Sequence, residues 1–295
     1  MILNSQKPLV SICTTTYNRG KFIGETIESC MKQKTNFPFE MVICDNCSTD
    51  NTVEVIDSFI KKYPGKIKLL KADKNYGLMI NYIKSIESGT GKYIADCDGD
   101  DYWTDENKLQ KQIDFLEANP DFVMCFTNTM QLNNDTGEQL PAKEHIWDEA
   151  TTAELLTYNS IGLKNYQNDI HCPGHVSSIV FRNNVLTFPE WYKNCYINDE
   201  PLFLMLSKYG KAKFMNEMMT VYRVCSTGYS TYEFSFIRDW EGRIYFYKKI
   251  DKFFDNKYHK QISKLTKAYN MKIVKFYYKK KLYFKSIWHF IKSIN

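Results

Sequence analysis

Through its first 130 residues the chain alternates short apolar runs with amphipathic stretches of helical period, and few architectures satisfy that alternation. Residues 9–14, 39–44, 67–71, 92–97 and 122–126 read as strands, and residues 21–34, 50–63, 78–88 and 105–118 as the helices between them. In the last of these helices Leu109, Ile113 and Leu116 recur at helical spacing, and Asn119-Pro120 ends it. The strand runs are apolar on both faces, as required when helices cover both sides of a sheet. The pattern therefore predicts an α/β fold with a mainly parallel sheet flanked by helices. Ligands of such sheets bind in the loops beyond the carboxyl ends of the strands. Those loops here are polar: Thr15-Thr16-Tyr17-Asn18-Arg19, Asp45-Asn46-Cys47-Ser48-Thr49-Asp50, Asp73-Lys74-Asn75-Tyr76-Gly77, and the acidic turn Asp98-Gly99-Asp100-Asp101.

The acidic turn carries the most specific chemistry. An apolar strand delivers the carboxylates of Asp98, Asp100 and Asp101 around one glycine. Hard oxygen ligands suit Mg²⁺ or Mn²⁺, and Mg²⁺ takes one or two carboxylates together with substrate phosphates. A nucleoside diphosphate could supply those phosphates. The competing reading is an acidic turn that caps the following helix, since Thr104, Asp105 and Glu106 also look like a helix start.

Composition narrows the class. At 295 residues, with 43 % hydrophobic and 15 % aromatic residues, the chain can bury a large core and does not have the composition of a disordered protein. No apolar run approaches a bilayer-spanning length, and Met1 to Lys7 does not read as a signal peptide, so a cytoplasmic location is expected. The nine cysteines are an odd, scattered set, several inside strand-like runs. They read as small buried hydrophobes. Cys44 and Cys47 form one CxxC, without the second pair that a zinc ribbon needs. Charge is distributed unevenly. The overall charge is +5, yet eleven lysines and no acidic residue follow Asp255, which leaves residues 1–255 at a net −6. A polyanionic surface is the natural partner of such a tail.

Taken in order, Val10-Ser11-Ile12, Tyr17-Asn18-Arg19, Asp45-Asn46-Cys47-Ser48-Thr49-Asp50-Asn51-Thr52, Asn75 with Gly77, Gly91-Lys92-Tyr93-Ile94 and Asp98-Gly99-Asp100-Asp101 resemble the GT-A glycosyltransferases of family 2. The resemblance covers roughly residues 7–230. It implies a GT-A catalytic domain over residues 1–235, with a nucleotide-sugar half at 7–127 and an acceptor half at 128–235, followed by a basic, aromatic-rich helical extension at 236–295. The activity it implies is inverting transfer of a sugar from a nucleoside diphosphate sugar, UDP-linked, to a hydroxyl of a glycan or lipid-linked acceptor in cell-surface polysaccharide synthesis. Mn²⁺ or Mg²⁺ is the implied cofactor. Thr15, Tyr17 and Asp45 fall at base-contact positions, Arg19, Asn75 and Gly77 on the same donor side, Asp98 near the ribose, and Asp100 at the metal, with Asp98 as a second ligand. Arg19, Lys74 and Arg223 are cations that could reach phosphates.

An inverting transfer also needs a carboxylate to deprotonate the acceptor. The resemblance points to Asp199 in Asn198-Asp199-Glu200-Pro201, with Glu200 as second choice, because Asn198 stands where relatives carry Glu or Gly. The ordinary alternative makes Asp199 a cap and Pro201 an early helical residue. A second departure is Cys225, where many relatives have a histidine near the metal; His171 and His175 are the substitutes on offer. His175 and Trp103 are expected on the acceptor side.

For the tail, Phe284, Ile287, Trp288 and Ile291 share one helical face, which fits a helix lying on an anionic membrane, peripheral to the inner face of the cell membrane. Packing on the catalytic body or in a homodimer is the blander reading. Nucleic-acid binding is not expected without a recognised module. Two other functions compete: a catalytically silent nucleotide- or carbohydrate-binding protein, and a nucleotidyltransferase, whose glycine-rich basic phosphate loop is missing after the first strand.

Overall fold

In a computed structural model of the chain, residues 7–140, 147–162, 174–226 and 236–294 are described. Two compact units divide it. One holds residues up to 149 together with 174–188 and 209–225; the other holds 150–173, 189–208 and the chain from 226 onward.

The first unit is built on a sheet whose strands run in the order β3-β2-β1-β4-β9-β6-β10-β5. β1 (Val10–Thr16), β2 (Phe39–Asp45), β3 (Ile67–Lys71) and β4 (Tyr93–Asp96) pair in parallel. The helices between them are α1 (Ile23–Met31), α2 (Thr52–Lys62) and α3 (Leu78–Glu87), with α4 (Lys108–Ala118) after a two-residue strand β5 (Tyr102–Trp103). These elements lie within three residues of the expected ones, because each strand run is mostly apolar and each helix carries one apolar stripe. In α1 that stripe is Ile23, Ile27, Cys30 and Met31, all buried.

The other half of the sheet is mixed. β6 (Phe122–Asn133) and β10 (Lys211–Val224) pair in parallel, while β9 (Val180–Arg182) is antiparallel to both β4 and β6, and β5 is antiparallel to β10. Two short strands, β7 (Gln139–Leu140) and β8 (Glu149–Ala150), add to it off this path. Asn133 to Gly137 form a turn: Asn133 Oδ1 accepts the backbone N–H of Asp135 and Thr136, and Gly137 has φ 73°. Between residues 174 and 182 the described chain contributes one strand, the three-residue β9.

The second unit is helical, with α5 (Thr152–Gly162), α6 (Asp199–Leu206), α7 (Phe236–Phe253), α8 (His259–Lys279) and α9 (Tyr283–Ile294). Every residue of α6 from Glu200 to Leu206 is buried, so this helix is enclosed on all sides. Around it, Leu155, Tyr247, Ile250, Leu265, Tyr269 and Ile273 form a core. The grouping differs from the expected boundary at 235. Residues 150–173 and 189–208, assigned from sequence to the acceptor half, cluster with the C-terminal helices. The reason is a buried polar network. Glu200 on α6 accepts from Arg243 and Tyr247 on α7 and, at 2.8 Å, from Asn159 on α5.

Candidate functional site

At the carboxyl ends of β1 and β2 two loops are fastened to each other by side chain to backbone bonds. Asn18 adopts φ 53°, a conformation asparagine tolerates, and its Oδ1 accepts the N–H of Thr49 at 2.8 Å. The N–H groups of Asn18, Arg19 and Gly20 reach the oxygens of Ser48, Thr52 and Asp50 at 2.9, 2.8 and 3.0 Å. Tyr17-Asn18-Arg19 and the run Asp45 to Thr52 are therefore two halves of one rim. Asp45 is 2 % exposed, and its carboxylate accepts both the N–H and the hydroxyl of Ser48. The next loop is tied in as well: Asn46 Nδ2 donates to Asn75 Oδ1, and Asn46 Oδ1 accepts the N–H of Tyr76. Gly77, at φ 85°, supplies the left-handed turn that starts α3.

The acidic turn lies directly on the end of β1. Gly99 N–H donates to Thr15 O at 3.0 Å, and a Cβ on Gly99 would fall 2.8 Å from the Thr16 side chain. No larger residue fits there, which explains the glycine between the two carboxylates. Asp98 Oδ1 accepts from Thr15 Oγ1 at 3.1 Å, and Asp100 Oδ2 pairs with Arg19 Nε at 2.7 Å. Asp100 is 20 % exposed, and among the described residues its Oδ1 has no hydrogen-bond partner.

Behind the turn is a buried support. Asp101, 1 % exposed, accepts the backbone N–H of Arg223 at 2.9 Å and the hydroxyl of Ser177. Burial, helped by the charge of Asp100, holds its pKa well above the usual carboxylate range, while Ser177 and Arg223 oppose that shift. Arg223 Nη1 donates to Asp100 O at 2.9 Å and Nη2 pairs with Glu25 at 2.5 Å. Its guanidinium also lies 4.9 Å from the rings of Phe22 and Tyr102. His175 packs on Tyr222, and its Nδ1 accepts the N–H of Ser177 at 3.2 Å, 3.6 Å from Asp101. Accepting at Nδ1 requires the neutral ring, and burial pushes its pKa down to about 4. On the other side of the turn Asp96 is buried against the Tyr82 hydroxyl at 2.6 Å, and burial raises its pKa strongly.

In the second unit the two carboxylates at the start of α6 have different environments. Glu200 is 1 % exposed and held by Arg243, Tyr247 and Asn159, so its oxygens are committed to the core. Asp199 is half-buried, and its Oδ1 accepts the N–H of Glu200 at 2.7 Å. Among the described residues its Oδ2 has no hydrogen-bond partner, and burial raises its pKa.

The structure thus brings Thr15, Tyr17, Arg19, Asp45, Asn75, Gly77, Asp98 and Asp100 to one rim of one unit, with Tyr17 41 % exposed. Trp103 does not belong there. It is 4 % exposed, its indole N–H bonds to Ser177 O at 2.8 Å, and it offers no face to an acceptor. Arg223, expected near phosphates, is instead a buried clamp on the turn, and Cys225 is buried. His175 sits under the acidic turn. His171 lies outside the described residues. Sequence reading missed the partner of Arg223, because Glu25 is an exposed acidic residue on α1 that looks like any solvated helix position.

Among the described residues no group of three or more His, Cys, Asp or Glu is arranged to hold a metal by itself. The donor set nonetheless suits a divalent ion, because two adjacent carboxylates, one with an unengaged oxygen, are what Mg²⁺ or Mn²⁺ takes when phosphates complete its shell.

The family model described as glycosyl transferase family 2 matches residues 11–185, more than half of the chain. The chain belongs to glycosyl transferase family 2. It is 27 % identical over 220 residues to the uncharacterized protein Mb1547 of Mycobacterium bovis, covering 72 % of this chain and 58 % of that one. It therefore spans well under two thirds of that relative. It is also 27 % identical over 230 residues to Bacillus subtilis TuaG, named for teichuronic acid biosynthesis, covering 78 % of this chain and 84 % of TuaG. Among solved structures, Staphylococcus aureus TarS 1–349 in complex with UDP superposes with TM-score 0.61 at 20 % identity, over 88 % of this chain and 70 % of that one. The mannosyltransferase PcManGT of Pyrobaculum calidifontis, solved with GDP-Man and Mn²⁺, gives 0.57 at 15 % identity, over 90 % and 74 %. These two likenesses bear out the GT-A fold.

Proposed function

We propose that this chain transfers a sugar, with inversion, from a UDP-sugar to a hydroxyl of a glycan or lipid-linked acceptor in cell-surface polysaccharide synthesis, on the cytoplasmic side of the membrane. The observation that carries the proposal is the rim itself: Asp45, Asp98 and Asp100 stand at the carboxyl ends of neighbouring parallel strands, in loops bonded to one another. Asp45 keeps acceptor capacity beyond its two bonds from Ser48, enough for the imide N–H of uracil. The exposed Tyr17 ring is available to lie against the base, and Asp98 and Thr15 are suited to the ribose. That TarS was solved with UDP and with UDP-GlcNAc supports the choice of nucleotide.

Asp100 and Asp98 would hold Mn²⁺ or Mg²⁺. Such an ion, when bound, neutralises charge that develops on the departing diphosphate. Arg19 is placed to exchange Asp100 for a phosphate oxygen. Asp101 and Arg223 keep the turn rigid, so that the carboxylates are positioned in advance. Asp199 takes the proton of the acceptor hydroxyl. Its burial favours the protonated acid and so makes the carboxylate a stronger base than an exposed aspartate.

The test is a thermal-shift panel of UDP, GDP, CDP and dTDP with and without Mn²⁺. A Mn²⁺-dependent shift with UDP that disappears in Asp100→Asn is expected. A shift with UDP that survives that substitution unchanged would remove the metal from Asp100. No shift with any nucleotide would count against the donor site and favour a catalytically silent carbohydrate-binding protein.

A further inference from the structure

The last helix is folded inside out. In α9, Ser286 and His289 are the buried positions, at 6 % and 5 % exposure, and they face α7 and α8: Ser286 Oγ donates to Val274 O at 3.1 Å, His289 stacks on Tyr277, and its Nε2 lies 3.8 Å from Glu241. Phe284, Ile287, Trp288 and Ile291, spaced i, i+3, i+4 and i+7, form the opposite face and are 92, 56, 53 and 54 % exposed. A helix stabilised by its own chain would bury that stripe and expose the serine and histidine. Of the fifteen exposed large hydrophobic residues among those described, eight fall between 278 and 291. Clustering on that scale marks an interaction surface.

Charge decides what covers it. All eleven ionisable side chains after Asp255 other than His and Tyr are lysines, and Lys275, Lys279, Lys280 and Lys281, shortly before α9, and Lys285 within it are exposed. A second copy of this surface would bring like charges together. An anionic bilayer would satisfy both features at once, taking the Phe, Ile and Trp side chains below its headgroups and the lysines at their level. No helix of the described residues is long and apolar enough to cross a membrane, so the contact is in the plane of the surface.

We infer that α9 is a membrane-docking helix that seats its Phe284, Ile287, Trp288 and Ile291 face in an anionic lipid surface. The inference does not depend on the transferase reading, and its test uses no nucleotide. The full chain is centrifuged with vesicles of phosphatidylcholine alone and of phosphatidylcholine with phosphatidylglycerol. Expected results are binding to the anionic vesicles, at least tenfold weaker binding without phosphatidylglycerol, and at least tenfold loss in the quadruple variant Phe284→Ser, Ile287→Ser, Trp288→Ser, Ile291→Ser. Because these side chains are exposed, far-ultraviolet circular dichroism of the variant should be unchanged. Replacing Lys279, Lys280 and Lys281 with Gln should cost about fivefold per lysine, at about 1 kcal/mol each near the surface. Equal binding by the quadruple variant, or no binding by the parent chain, overturns the inference. So does a parent chain that sediments as a dimer, becomes monomeric in the quadruple variant and ignores vesicles, since a second copy would then be the partner.

Discussion

Replacing Lys108 with methionine should stabilise the protein at neutral pH, and the gain should reverse in alkaline solution. Lys108 is fully buried beneath the acidic turn; its Nζ donates to Gln112 Oε1 at 2.7 Å and lies 4.2 Å over the Trp103 ring. Burial lowers its pKa from 10.5 to about 8, against the pull of Cys97, Cys125, Cys30 and Asp96. The gap between those values corresponds to roughly 3 kcal/mol of stability withheld by the buried charge. Methionine fills similar space without a charge, but it forfeits the bond to Gln112 and the contact with Trp103, together ~1–2 kcal/mol. The net gain at pH 7 is therefore about 1–2 kcal/mol. Between about pH 8 and 10.5 the unfolded chain binds a proton that the folded chain has released, so the stability of the parent rises with pH. The cost is fully present below that window and gone above it, where the parent becomes the more stable by ~1–2 kcal/mol. Urea unfolding of both proteins at intervals from pH 7 to 10.5 measures this, and taking the difference cancels the titration of distant groups. A difference that stays constant across the range would refute the reasoning, because it would mean that the lysine ionises as freely in the core as in water.

Three further outcomes follow from the site. Glu200→Gln should destabilise by about 2 kcal/mol, since it removes a charged partner of the buried Arg243, which keeps Asp239, whereas Asp199→Asn should cost under about 1 kcal/mol, keep the UDP shift and abolish transfer; similar melting temperatures for the two variants would contradict the division of roles. Arg19→Gln should bind Mn²⁺ more tightly in the absence of nucleotide, by removing a cation that competes for Asp100, and UDP more weakly; titration followed by Mn²⁺ electron paramagnetic resonance reads both, and two unchanged affinities would mean that the Arg19–Asp100 pair is incidental. Gly99→Ala should lower stability by ~2 kcal/mol and weaken UDP binding together, because its methyl would press on Thr16 and Thr15 O; a variant as stable as the parent would show that the turn can shift.

Much of the first unit was legible in the sequence alone. Strands β1 to β4 and helices α1 to α4 follow from continuous apolar runs and single apolar stripes, which are local properties. The rim residues were legible because loops at one end of a parallel sheet must meet. The antiparallel insertion of β9 between β4 and β6 was not, since three residues carry too little pattern to name a partner. Trp103 misled for a related reason: an aromatic residue beside a site looks the same in sequence whether it faces substrate or core.

The sequence by itself determined the parallel sheet, the polar rim and the family, because hydrophobic period, turn chemistry and ordered short motifs all act over a few residues. Only the tertiary structure separated the surroundings of Asp199 and Glu200, neighbours whose difference is the arrival of Arg243 and Tyr247 from more than forty residues away. It likewise turned Arg223 from a phosphate ligand into the clamp of the acidic turn. Burial and charge pairing are sums over everything that comes near, and what comes near is settled when the chain folds.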